Sequence, residues 1–164
     1  MPSIIEFSGD RDAVVARAQE VRRSFFEPGM SPQAAFQAIF KKYGGKVEYC
    51  NEDTPETLKV FQGGFVIYLP GSTSAARDNF TVAHELGHYF LHTDTSGDGE
   101  ITHQRQGSSP SEWQANWFAA ELLMPRELFF EVARENNNNP NAIAAHFNVS
   151  GAAARVRMSV LGIE

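Results

Sequence analysis

The sequence predicts an α+β fold in which helices pack around a small twisted β-sheet within one domain, residues 1–164. Three observations predict it. Apolar residues recur at threes and fours on both sides of a central block, the spacing of amphipathic helices. Within that block, three short runs at 46–50, 57–61 and 65–69 carry the β-branched and aromatic residues of strands. Finally, 164 residues with 42% hydrophobic content suffice for one real core and leave no comfortable room for a second.

Taken in order, residues 1–45 supply two helices. The first spans about 11–26, with Val14, Ala18, Val21 and Phe25 on one face, and Pro28-Gly29 stops it. Ser31-Pro32 starts the second, which runs through Phe36, Ile39 and Phe40 to Gly44-Gly45. Residues 46–135 hold the sheet and the two helices that carry chemistry. Gly63-Gly64 joins the last two strands as a hairpin, and Cys50 packs within a strand. A helix follows around residues 80–91, with Asp78 or Thr81 as its cap. Another spans 111–125, capped by Ser111 and ended by Pro125. Residues 140–164 form a helical pair shaped like a helix-turn-helix, with Asn148 in a left-handed turn and Ser150 capping the second helix. Ile143, Ala144, Phe147, Val149, Ala153, Val156 and Val160 are expected to pack that pair inward, and Asn136–Asn139 before Pro140 reads as a linker.

The chemistry concentrates in His84-Glu85-Leu86-Gly87-His88. Residues four apart share a helical face, so both imidazoles can reach one cation. Glu85, about 100° round the helix, misses that cation and reaches a water in its open coordination position. This is the donor arrangement of a zinc hydrolase, and Gly87 permits close approach of a neighbouring element. A catalytic zinc takes a third protein ligand. Asp94 stands six residues after His88, where one rival pattern puts a histidine, but Leu91 replaces the glycine that pattern needs. Glu112, opening the 111–125 helix, is the favoured third ligand. Asn116, one turn further, can hold a ligand histidine by its second nitrogen. Two imidazoles and a carboxylate suit Zn2+ and accommodate Mn2+ or Fe2+.

The run Phe80-Thr81-Val82-Ala83-His84-Glu85-Leu86-Gly87-His88-Tyr89-Phe90-Leu91-His92, followed by Glu112, Ala115-Asn116 and Phe118-Ala119-Ala120-Glu121-Leu122-Leu123-Met124-Pro125, resembles the ImmA/IrrE family of bacterial metallopeptidases. The likeness covers roughly residues 65–130, with a family-like tail at 143–162; the first sixty residues carry no matching motif. It implies a zincin-like, gluzincin-type endopeptidase with His84, His88 and Glu112 as zinc ligands and Glu85 as general base. The implied substrate is a helix-turn-helix transcriptional repressor, cut at a defined site to derepress stress, phage or mobile-element genes. In metallopeptidases of this type an edge strand receives the substrate as an added strand, a role expected of residues 65–69.

Between the two chemical helices, residues 93–110 are rich in Gly, Ser, Thr and Asp and read as a loop, a flap beside the metal. Its start resembles a calcium loop, with oxygen ligands at Asp94, Ser96 and Asp98 and glycine at Gly99, but Arg105 stands where the bidentate Glu belongs. His103, His92, Tyr68 and Tyr89 compete to stabilise the oxyanion of peptide hydrolysis, with His92 also a candidate to orient His88 or cap its helix.

Two other functional classes stay open: a non-catalytic zinc-containing module that binds a partner, and a DNA-binding regulator acting through residues 141–160. The intact Glu85 weighs against the first. Against the second, the last helix offers a DNA reader chiefly Arg155 and Arg157, so docking of a partner is favoured there. A net charge of −6 argues against general affinity for phosphate backbones, and Arg22-Arg23 and Lys41-Lys42 read as solvated helix faces. One cysteine excludes an intramolecular disulfide or a thiolate cluster. With neither a membrane-length apolar run nor a signal segment at residues 1–10, a cytoplasmic location is expected.

Overall fold

In the computed structural model, which describes residues 2–51, 57–104 and 107–164, a short strand β1 (Ser3–Ile4) precedes helix α1 (Arg11–Phe25). Asp10 starts α1 by accepting a hydrogen bond from Ala13 N at 3.0 Å, and Val14, Ala18 and Val21 form its buried face. Ser31 caps α2 (Pro32–Tyr43) in the same way, with Pro32 in its first turn. Gly44, in the left-handed conformation, ends it. A Cβ on Gly44 would collide with the Gly63 carbonyl, so the helix stop and the hairpin turn need glycine together.

The main sheet comprises β2 (Gly45–Cys50), β3 (Thr57–Phe61), β4 (Gly64–Pro70) and β6 (Glu100–Gln104), in the order β2-β4-β3-β6. β2 runs parallel to β4, and β4–β3 and β3–β6 are antiparallel. The β3–β4 hairpin forms as the sequence predicts. However, residues 65–69 are not an edge: β4 is paired on both sides, which leaves no free main-chain groups for an added strand. Among the described residues, the edges are β2 and β6. β6 and the short β5 (Thr93–Asp94), which pairs with β1, lie in the stretch read as loop, where their polar composition hides them.

Helix α3 (Ala75–Leu91) begins a turn earlier than predicted, and its cap is Ser74, not Asp78 or Thr81. Asp78 instead takes a hydrogen bond from Thr73. Likewise α4 (Pro110–Leu123) is capped by Ser109, with Ser111 inside the helix. α3 is buried on nearly all sides from Thr81 to His88, the state of a helix enclosed within a domain. Helix α5 (Arg126–Glu135) follows where the sequence analysis assigns no element, with Phe129, Val132 and Ala133 buried at helical spacing.

Asn136–Asn139 do more than link. Asn136 closes α5, Asn137 and Asn138 adopt positive φ, and Asn139 caps α6 (Pro140–Phe147). Asn148 is left-handed and Ser150 caps α7 (Gly151–Leu161), as expected. The α7 face, however, is turned from the one foreseen. Val156 and Val160 are 64% and 50% exposed, whereas Arg157 is buried, its Nη2 2.6 Å from Glu121 Oε2. Arg157 is therefore unavailable to DNA or to a docking partner. Cys50 is half-buried in β2, and among the described residues no helix is long and apolar enough to cross a membrane.

Candidate metal centre

α3 and α4 cross closely because Gly87 faces Ala115. A Cβ at position 87 would stand 3.1 Å from Ala115 Cα and 3.2 Å from its carbonyl oxygen, tighter than ordinary contact. That approach brings the first turn of α4 to the histidine face of α3. Glu112 Oε2 lies 2.8 Å from His84 Nε2, and Glu112 Oε1 lies 3.2 Å from His88 Nε2. One ligand atom from each of His84, His88 and Glu112 falls within 4.8 Å of the others, all three residues buried.

Hydrogen bonds behind the rings decide what faces this point. His84 Nδ1 is 2.8 Å from Asn116 Oδ1. The amide oxygen only accepts, so Nδ1 carries a proton, and Nε2 is the nitrogen left to offer a lone pair to a cation. This explains why His84 Nε2 makes no hydrogen bond despite a carboxylate 2.8 Å away. His88 Nδ1 is 2.9 Å from His92 Nδ1, and His92 Nε2 is 2.8 Å from Gln114 Oε1. His92 donates to Gln114 and accepts from His88, which again leaves His88 Nε2 unprotonated. Burial first, then the neighbouring His84, pushes the His88 pKa down to about 3, so the ring is neutral near pH 7. Two imidazole nitrogens and a carboxylate thus converge in a buried site. The donors of this array fit Zn2+.

The other predicted residues separate by strand register. His103 aligns with Leu58 and Ile67 on the buried face of the sheet and stacks on the His88 ring at 5.4 Å. Its Nε2 lies 2.7 Å from Thr93 Oγ1, whose own proton goes to the His88 carbonyl. The His103 N–H is therefore committed to Thr93, away from any oxyanion. Burial, then His92, lowers its pKa to about 4. Tyr68 aligns with Thr57 and Gln104 on the opposite face, so the structure does not bring it to the site; a strand sends successive side chains to opposite sides. Tyr89 packs instead against Phe65, at 4.4 Å between rings, and Tyr43. Asp94 is exposed, accepts from Ser96 N and Oγ, and stands outside the His84, His88 and Glu112 cluster. The twelfth calcium position, Arg105, lies outside the described residues.

Sequence reasoning missed Gln114 and Thr93. Neither carries a local signal, since a glutamine in a helix and a threonine in a polar stretch look like ordinary solvated residues.

The profile of the M78 peptidases, described as the IrrE N-terminal-like domain, matches residues 33–159. The chain belongs to this family. Within it, the chain is 32% identical over 84 residues to the metallopeptidase ImmA of Bacillus subtilis (strain 168), an alignment covering 51% of this chain and 50% of the relative. The chain thus spans about half the length of the curated relative it matches. The M78 match takes in α3, α4 and every member of the histidine–carboxylate cluster.

Proposed function

We propose that this chain is a zinc-dependent endopeptidase in which His84, His88 and Glu112 hold the metal and Glu85 is the general base. The observation that carries it is the convergence of two Nε2 lone pairs and a carboxylate, with Glu85 buried beside them on the same helix. Zinc held by His84, His88 and Glu112 would supply Lewis-acid chemistry to the scissile carbonyl and to the attacking water. Glu85 takes the proton of that water and delivers it to the leaving amine. Asn116 and His92 hold the two rings with their lone pairs inward.

β6, not β4, is the edge beside the histidines, so the substrate main chain adds along Glu100–Gln104. The substrate proposed is a helix-turn-helix repressor, supported by family membership and by the likeness to ImmA. A DNA-reading role for residues 141–160 is left with Arg155 alone of the two arginines that supported it, since Arg157 is buried.

Metal analysis and cleavage assays on one variant test the reading. Glu85→Gln should keep about one Zn2+ per chain and lose at least ~10²-fold in repressor cleavage, since an amide cannot accept the proton. Undiminished cleavage by that variant would remove Glu85 from the mechanism, and a metal-free wild type would remove the zinc.

A further inference from the structure

The hydrogen bonds behind His88 continue past His92 into a part of the chain remote from the motif. The amide that accepts from His92 Nε2 through Oε1 donates through its Nε2 to the Phe7 carbonyl at 3.0 Å. A carbonyl can only accept, so Phe7 forces the NH2 end of Gln114 towards itself and the oxygen end towards His92. Each later bond then has one possible direction. His92 carries its proton on Nε2 and offers the Nδ1 lone pair. His88 carries its proton on Nδ1, donates it across 2.9 Å, and presents a lone pair at Nε2. With the Gln114 amide reversed, every bond would reverse, and the His88 proton would sit on Nε2, where the metal belongs.

The anchor is itself held. β1 pairs with β5, and Ile5 N donates to the His92 carbonyl at 2.9 Å, so the N-terminal segment holds the main chain of His92 directly and its ring only through Gln114. His84 needs no such relay, because Asn116 Oδ1 accepts from it directly.

We propose that Gln114, oriented by the Phe7 carbonyl, is a positioning residue that fixes the Nδ1–H tautomer of His88 through His92 and so makes His88 Nε2 a metal donor. This rests on the metal reading above, and it assigns the residues ahead of α1 a part in building the site.

Tautomers are read directly from two-bond 1H–15N spectra of the histidine rings in metal-free wild-type protein. His88 should appear as the Nδ1–H form and His92 as the Nε2–H form. Gln114→Glu keeps an acceptor towards His92 but cannot donate to Phe7; Gln114→Met has neither function. Both variants lose the Phe7 bond equally, so the contrast between them isolates the acceptor. Zn2+ affinity, measured by competition with a chromophoric chelator, should stay near wild type for Gln114→Glu and fall about 10- to 100-fold for Gln114→Met. The Met variant should also lose the single His88 tautomer. An Nδ1–H form of His92 in the wild type, or equal affinities for the two variants, would overturn the proposal. Failure of wild type to bind Zn2+ at all would instead overturn the metal reading beneath it.

Discussion

Two buried polar clusters lie at opposite ends of α4, and they are completed in different ways. Near its C-terminal end, Glu121 meets Arg157 at 2.6 Å. Arg157 Nε also donates to the Met124 carbonyl at 3.1 Å, and Glu121 Oε1 accepts from Gln19 Nε2 at 3.2 Å. A cation, an anion and their hydrogen bonds all come from the chain. Near its N-terminal end, Glu112 meets two imidazole nitrogens whose protons are committed elsewhere. A buried carboxylate is therefore not by itself a sign of chemistry. What separates the two is the chemistry of the groups that meet the carboxylate: an arginine at Glu121, and at Glu112 two ring nitrogens in the donor arrangement of a metal site.

The largest effect expected from breaking this contrast is at the closed cluster. Arg157→Ala should cost about 3–5 kcal/mol in denaturant unfolding, because it strands a buried carboxylate. Glu121→Leu combined with Arg157→Met should recover most of that loss. A loss below about 1 kcal/mol for Arg157→Ala would mean that the pair is not closed as described.

The histidine–carboxylate cluster should respond to metal instead. At a free Zn2+ concentration a thousandfold above its Kd, the wild type should gain about 4 kcal/mol over the metal-free chain. His84→Ala should lose most of that gain, whereas Arg157→Ala should keep it. Equal metal stabilisation of wild type and His84→Ala would place the metal somewhere else.

Acid sharpens the comparison further. His88 and His103 have pKa values lowered from 6.5 to about 3 and about 4, so below pH 6.5 the unfolded chain binds protons that the folded chain refuses. Stability then rises with pH across this window and falls on acidification, until pH nears about 4 for His103 and about 3 for His88. Between pH 6.5 and 5.5 the metal-free protein should lose at most about 1.4 kcal/mol for each ring. Urea unfolding at several pH values measures the slope, which His103→Phe should reduce; an unchanged slope would remove His103 from it.

The smallest effects belong to the outer face of α7. Arg155→Ala and Val156→Ser should each change stability by less than about 0.5 kcal/mol, because both residues are exposed. The contrast with Arg157, next in the same helix, makes thermal melting of the three variants a direct check on which face is buried.

Much of this molecule is readable locally. The spacing of His84 and His88, the caps at Ser31 and Ser150, the left-handed Asn148 and the β3–β4 hairpin depend on residues within a few positions of one another. Asn116 was also legible, since one helical turn fixes its place relative to Glu112. Reading failed where the deciding contact was distant. Val156 and Arg157 are neighbours in sequence, and only Glu121 on another helix determines which turns inward.

By itself, then, the sequence determined the donors and their faces, because a helix converts spacing into direction through bonds between residues three and four apart. Tertiary structure alone decided that β4 is central and β6 the edge, since strand order depends on pairing between segments whose separation along the chain carries no signal. It also decided which way the His88 proton points. That direction comes from a Phe7 carbonyl and a Gln114 amide brought together by folding, and no spacing between positions 7, 88 and 114 encodes it.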